Sequence, residues 1–502
     1  MKLNRTLVPL VFLALCLSSV HVFSQLSRPV RTGLETQLSA LPEVTEVMRL
    51  ESAHFEEKYK VCVRQRVNHQ NITYGFFEQR VFVMHKGYDR PTVLVTEGYG
   101  ADYAAHPRYR EELSGLLDAN LIVVEHRYFG ESIPSPRRWE WLNGPAAMED
   151  LHLIRERLGT IYTGKWIATG ISKGGQTAIM YRTFYPDDVD ITVCYVAPLC
   201  LSARDKRHAQ FIANKVGTPD LRKKVFDFQK EVLNRRDSLM PLFVSFCDSA
   251  GLAFTRPVSE IFDYCVLEYS FAFWQWGTDP QSIPDLKADD RQIFTHFVQI
   301  ATPDYFVRDT PTMPFFIQAA KELGYYTYDT SRFKFKVSRT RFVPEKEKKG
   351  LFGKKKKKQA EAAAEAAATA VDAATAEDLA ATAEVAVEEV AKGEWVTKKY
   401  PAMELRSSNQ YLKELFLPDF YKPPFRRSLS KLQRNFLKQT EARMVFIYGE
   451  WDPWTAAAVP NPEKPNILYY VQPRGSHRAR ISTLPEPMRE SLVEQLQHWL
   501  NN

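Results

Sequence analysis

KWIATGISKGGQTAIMYRTFYP, residues 165–186, runs from an apolar, strand-like stretch into a helix-like one and sets a single serine, Ser172, between two glycines at the change. A strand that turns directly into a helix needs residues that let the two backbones close on each other, and Gly170 and Gly174 supply them. Gly170-Ile171-Ser172-Lys173-Gly174 fits G-x-S-x-G, the pattern that lifts a serine hydroxyl above the end of a strand. A pentapeptide alone decides little, so the surrounding elements must.

Those elements alternate. TVLVTEGYG from Thr92, NLIVVEHRYFG from Asn120, KWIATGI from Lys165 and ITVCYVAP from Ile191 read as buried strands that end in loop formers. PAAMEDLHLIRERLGTIY, between the second and third, has a helical period. Strands alternating with helices imply a parallel sheet with right-handed crossovers. Upstream, KVCVRQRVNH and FFEQRVFVMHKG read as an antiparallel pair joined across Asn71 to Gly75. Two more strands, ARMVFIYGEWDP and NILYYVQPRGSH, appear only after residue 440, before the terminal helix LPEPMRESLVEQLQHWL. The sheet is therefore interrupted. The pattern predicts an α/β protein with an α/β-hydrolase core in two parts, 25–202 and 436–502, separated by an inserted helical cap at 203–435. Within the cap, a Lys- and Ala-rich stretch at about 345–395 has no aromatic residue between Phe352 and Trp395. It lacks the side chains of a packed interior and reads as a solvated helix or an unstructured insertion.

Composition agrees with a large globular protein. At 502 residues the chain exceeds what one core usually serves; 44% hydrophobic and 25% charged residues are ordinary for a globular protein, and 13% aromatic suits a pocket lined with rings. The net charge of +7 owes much to the unbroken run Lys354 to Lys358, so no nucleic-acid partner is expected. Residues 1–24 have the basic start, short apolar run and small residues of a signal peptide, which predicts a secreted or periplasmic protein without a stable membrane span. Lipid anchoring at Cys16 is the lesser alternative. Beyond the leader stand Cys62, Cys194, Cys200, Cys247 and Cys265, an odd number with no C-x-x-C spacing. A Cys247 to Cys265 bridge is open, and no metal or cofactor is expected.

A nucleophilic Ser172 needs a base and an acid, in this fold in the chain order Ser, Asp or Glu, His. Only His477 and His498 follow the late strands; His498 sits in the last helical pattern, whereas His477 follows a strand in a Gly-Ser-His loop. Asp452, with Glu450 as substitute, ends the preceding strand. The backbone N–H of Lys173 follows the nucleophile and is the first oxyanion donor, and the Gly98-Tyr99-Gly100 loop offers a second at Tyr99.

The chain resembles the secreted bacterial prolyl tri- and tetrapeptidyl aminopeptidases, serine peptidases distantly similar to lysosomal Pro-X carboxypeptidase and dipeptidyl peptidase II. The resemblance rests on GFFEQRV at 75–81, EGYG at 97–100, EHRYFGES at 125–132, GKWIATGISKGGQTA at 164–178, YPDDVDITVCYVAP at 185–198, FWQWG at 273–277, ELGYYTYDT at 322–330 and GEWDPW at 449–454. It implies an α/β-hydrolase core with a helical cap, a triad of Ser172, Asp452 and His477, and release of short peptides from free amino termini by cleavage after proline. The Lys- and Ala-rich insertion departs from the family pattern. Proline-containing peptides as substrates call for an aromatic slot, with Phe273, Trp274 and Trp454 as walls or else as rings of the cap core, and for a carboxylate facing the substrate amine, with Glu125 and Glu268 as candidates or else as partners of a nearby arginine. A same-fold esterase or lipase, and a catalytically inactive surface binding protein, are the competing readings.

Overall fold

The apolar runs form strands, and their fully buried burial pattern explains why they carry no polar alternation: a parallel strand covered on both faces is apolar throughout. The structure, a computed structural model, describes residues 33–344, 393–405 and 411–502. The expected signal peptide and Cys16 lie outside these residues. In chain order the strands are β1 (Val44–Arg49), β2 (Glu57–Arg66), β3 (Phe76–His85), β4 (Thr92–Thr96), β5 (Asn120–Val124), β6 (Trp166–Ile171), β7 (Ile191–Tyr195), β8 (Lys336–Pro344), β9 (Gly393–Pro401), β10 (Arg443–Gly449) and β11 (Ile467–Gln472). Nine of them make one sheet in the order β1-β2-β3-β5-β4-β6-β7-β10-β11. From β5 to β11 the neighbours are parallel, and β1 to β3 form an antiparallel edge. This is the α/β-hydrolase sheet, and the parallel strands open their carboxyl ends along one rim.

β1 escaped the sequence reading. Its run VTEVMR has no buried residue and survives only as an edge strand paired with β2. Helices cover both faces of the sheet. The helix Gly144–Gly159, capped by the Asn143 side chain on Ala146 N–H, buries Leu151, Ile154 and Leu158 on one face beside Met180 and Tyr181 of the helix Lys173–Phe184. On the other face, Leu492, Leu496 and Trp499 of the terminal helix Glu486–Asn501 pack against β7 and β10 residues. None of the helices among the described residues is long and apolar enough to cross a membrane.

Between β7 and β10 the described chain is helical except for the antiparallel hairpin β8–β9, which the sequence reading did not foresee. KVSRTRFVP carries no apolar alternation, since Val337 and Phe342 fall on opposite parities with arginines between them, and the biased stretch after it hid its partner strand. The hairpin pairs through to Pro344 and Gly393, so most of the Lys- and Ala-rich stretch, outside the described residues, leaves and returns between paired strand ends. The helix Ser428–Gln439 already lies on the helix Lys173–Phe184, with Leu429 beside Met180, so the chain is back on the core before β10. Cys62, Cys194, Cys200, Cys247 and Cys265 are all free thiols; the Cys247 to Cys265 bridge does not form, and both residues pack as apolar side chains in the cap core.

Candidate active site

Ser172 ends β6 and begins the helix Lys173–Phe184 with φ 56° and ψ −118°. A non-glycine residue held in such backbone geometry costs roughly 1–3 kcal/mol, which the surrounding packing must offset. Here it does so by backbone contact: a Cβ on Gly170 would stand 2.3 Å from the Gly174 carbonyl carbon, so glycine is required at the elbow. Thr96 Oγ1 lies 3.1 Å from the Gly174 carbonyl oxygen and ties β4 to the turn, while Ser172 N–H donates to the Tyr195 carbonyl at 2.9 Å.

Asp452 follows β10 and His477 follows β11, at the same rim as Ser172. His477 Nδ1 is 2.6 Å from Asp452 Oδ2, and Asp452 is fully buried. Asp452 Oδ1 accepts the Trp454 N–H at 3.0 Å, so the carboxylate is aimed by its own loop. A proton on Nδ1 shared with Asp452 leaves Nε2 as the unprotonated nitrogen of the ring. The His477 loop crosses the end of β10 so closely that a Cβ on Gly449 would meet the Ser476 carbonyl oxygen at 2.3 Å. Ser172 and His477 line one cavity of about 550 Å³. Glu450, the substitute acid, instead accepts the Arg474 N–H at 2.7 Å on the exposed side, and His498 is exposed on the terminal helix.

The loop after β4 rests on the elbow. A Cβ on Gly98 would meet Lys173 Cβ at 2.7 Å and the Gly174 nitrogen at 2.9 Å, so only glycine allows this approach. Lys173 N–H begins the helix and has no carbonyl four residues back within it. Its side chain turns inward, 2% exposed, and Nζ donates to the Gly98 carbonyl at 2.6 Å. Burial pulls the Lys173 amine down to about 7 against the opposing pull of Glu97 and Glu322. Glu97 also lines the cavity; its carboxylate accepts the Gly98 N–H at 3.1 Å and the Tyr103 hydroxyl, and the Tyr99 N–H also bonds to it. Desolvation raises the Glu97 carboxyl above its ordinary range.

The expected substrate residues divide. Glu125 is fully buried away from the cavity: its oxygens accept the N–H groups of Ala101, Glu131 and Ser132 and the Ser132 hydroxyl, and it pairs with Arg80. It is a structural carboxylate, and its expected role facing a substrate amine is corrected. Glu268 does line the cavity. Tyr326 and Tyr328 hydroxyls donate to its Oε2 at 2.8 and 2.5 Å, and no cation pairs with it among the described residues. Burial pushes its carboxyl up to about 7. Phe273 and Trp274 do not line the cavity, whereas Trp454 does. The reason is helical periodicity: on the helix Val258–Gln275, residues 268, 272 and 275 share a face, and 273 and 274 turn away from it. Phe273 packs on Tyr269, and Trp274 on Trp451. Trp276, Tyr325, Tyr326 and Glu97 are cavity residues that the sequence reading missed; the ring-rich run YYTY at 325–328 was the available signal.

Sheet order, elbow and cap define an α/β-hydrolase. The chain belongs to the PS-10 peptidase S37 family, a serine peptidase family, whose profile matches residues 37–349. It is 34% identical over 268 residues to the prolyl tri/tetrapeptidyl aminopeptidase of Streptomyces mobaraensis, covering 52% of this chain and 55% of that protein. The chain thus spans about half the length of this curated relative. Among solved structures, the proline iminopeptidase of Mycobacterium smegmatis is 12% identical with a TM-score of 0.33, covering 88% of this chain and 98% of that one. Cfl2 of Burkholderia cenocepacia is 10% identical with a TM-score of 0.33, covering 91% and 100%.

Proposed function

We propose that Ser172, His477 and Asp452 act as a catalytic triad in a secreted exopeptidase that releases tri- or tetrapeptides from free amino termini by cutting after proline. The observation that carries this reading is the buried 2.6 Å contact of Asp452 with His477, beside the cavity that His477 shares with the elbow serine. In the reaction, His477 Nε2 takes the Ser172 hydroxyl proton as Oγ attacks the prolyl carbonyl. The oxyanion is met by the N–H of Lys173 and, where it displaces the Glu97 carboxylate, by that of Tyr99. The C–N bond breaks as His477 returns the proton to the leaving amine, giving a prolyl ester on Ser172. Water then attacks the ester, with His477 again the base, and frees the peptide carboxylate and the serine. Asp452 keeps the proton on Nδ1 and stabilises the imidazolium.

Two features support the substrate class. Trp454, Trp276 and Tyr326 give the cavity flat apolar faces suited to a proline ring. Glu268 is a cavity carboxylate with no cationic partner among the described residues, and a substrate ammonium would be one. The test is incubation with free and N-acetylated Pro-containing peptides, read by mass spectrometry, together with fluorophosphonate labelling. Cleavage after proline of free-amine peptides only, with label on Ser172, is the expected result. Ser172→Ala, His477→Ala and Asp452→Asn should each lower turnover by about 10³-fold or more without unfolding the protein. Equal cleavage of blocked and free peptides would instead define an endopeptidase. Export rests on the leader at 1–24, and amino-terminal sequencing of the exported protein tests it.

A further inference from the structure

Three cationic side chains line the cavity, those of Lys173, Arg478 and Arg480. Two of them are committed to the protein's own backbone. Lys173 Nζ donates to the Gly98 carbonyl at 2.6 Å, and Arg480 Nη1 donates to the Ala479 carbonyl at 2.7 Å and to the His477 carbonyl at 3.3 Å. Arg478 is exposed and has no carboxylate partner among the described residues. Its guanidinium carbon lies 5.9 Å from the centroid of the Trp276 ring. The same indole stands nearly perpendicular to the His477 imidazole, with centroids 6.2 Å apart. Trp276 therefore keeps the guanidinium beside the histidine, and a cation resting on an indole still has its N–H groups free for an oxygen partner.

Chemistry decides which part of a substrate meets this arginine. A histidine that hands its proton to the leaving amine must be within hydrogen-bond reach of that nitrogen, so the chain beyond the cut passes the His477 loop. Arg478 is the next residue of that loop. The amino-terminal part of the substrate runs the other way, to Glu268 on the cap helix Val258–Gln275. We propose that Arg478 is a specificity residue for the leaving side: it binds a carboxylate just past the cut, either the terminal carboxylate of a short substrate or an Asp or Glu side chain. The inference rests on the post-proline exopeptidase reading and deepens it. Glu268, 7% exposed, and the exposed Arg478 make the cavity bipolar, and a short X-X-Pro-X peptide with both ends free matches both poles. An ion pair at an exposed guanidinium is weak and salt-screened, so the effect is a preference and not a requirement.

The experiment measures kcat/KM on four substrates with free amino termini: Ala-Ala-Pro-Ala as the free acid and as its amide, and the amides of Ala-Ala-Pro-Asp and Ala-Ala-Pro-Asn. Wild type should favour the free acid over its amide, or Asp over Asn, by about three- to tenfold, and the pair that shows the preference identifies the source of the carboxylate. In Arg478→Gln both ratios should fall to about one, whereas Arg478→Lys, which keeps the charge, should retain part of the preference. Raising NaCl to about 0.5 M should shrink the wild-type ratio. Ratios rather than rates carry the test, because a merely structural arginine would lower all four rates together. Such a uniform loss in Arg478→Gln, or a preference that survives in it, would overturn the inference. A wild type that cleaves none of the four sinks the post-proline reading and this inference with it, whereas one that cleaves all four equally sinks the role of Arg478 alone.

Discussion

The backbone N–H of His477 donates to the carbonyl of Gln275 at 2.9 Å, so the loop that carries the imidazole is fastened to the last turn of a cap helix. The cap therefore does more than roof the cavity; it sets the height of the histidine over the sheet. Gly277, just past that helix at φ 68°, leaves so little room that a Cβ would lie 3.0 Å from Ser476 Cβ and Oγ. Gly277→Ala combines backbone strain with a push on the histidine loop. It should lower kcat by about tenfold or more, since sub-ångström misplacement of a base is costly, while Tm falls by only a few degrees. A normal kcat in this variant would show that the histidine loop does not depend on the cap.

Glu268 makes pH a probe of amine recognition. Its carboxyl is raised to about 7 from an ordinary 4.5, so between those values the folded chain holds a proton that the unfolded chain has released. Stability from this group is thus full below about 4.5 and is lost as pH climbs through about 7. Glu268→Gln should remove that loss, so its Tm relative to wild type should rise between pH 5 and pH 8. An ammonium binds the ionised form, so an unblocked X-X-Pro product peptide titrated into Ser172→Ala should bind more tightly as pH rises through the same range. In the Ser172→Ala, Glu268→Gln double variant that gain should vanish. A pH-independent affinity in Ser172→Ala would remove Glu268 from the amine site.

The fold was legible wherever a strand was buried on both faces. TVLVT, NLIVV and MVFIYG announce themselves because a parallel central strand carries no polar alternation, whereas the edge strand VTEVMR shows nothing of the kind. The positions of Ser172, Asp452 and His477 could be read because each follows a strand end, and parallel strands bring their ends to one rim. Substrate contacts could not be read so well, because cap residues face the cavity by helical phase rather than by chain position. Phe273 and Trp274 sit beside cavity residues in sequence and turn away from them in space. For Glu125 the sequence left a substrate carboxylate and an ion pair with a nearby arginine both open, because Arg80, Ala101 and Ser132 come to it from separate segments; the pair with Arg80 is the one that forms.

That phase difference separates folding from specificity. Phe273 is fully buried in the cap core, so Phe273→Ala should cost about 3–5 kcal/mol of stability, measured by denaturant unfolding, with little change in KM for whatever remains folded. Trp276 lines the cavity and is 50% exposed, and Trp276→Ala should leave Tm nearly unchanged while raising KM for prolyl substrates several-fold. If the two variants exchanged these signatures, the assignment of faces on this helix would be reversed.

The Lys- and Ala-rich stretch offers a test of how far the hairpin depends on the chain that connects its two strands. β8 and β9 stay in register out to the pair Pro344 and Gly393, with Thr340 and Thr397 hydroxyls 2.7 Å apart along the way. Two antiparallel strands that end on a paired position can be closed by a short turn, and an Asn-Gly pair is the sequence best suited to the twist. Replacing residues 345–392 with Asn-Gly should therefore keep the hairpin, because every described pairing lies outside the deleted stretch. The cavity residues among the described ones all fall elsewhere in the chain, so kcat and KM on an unblocked X-X-Pro peptide should stay within about twofold of wild type, and Tm should be equal or slightly higher because a shorter loop costs less closure entropy. A deletion variant that folds with an unchanged Tm but no longer cleaves would mean that the insertion itself reaches the cavity and shapes substrate entry.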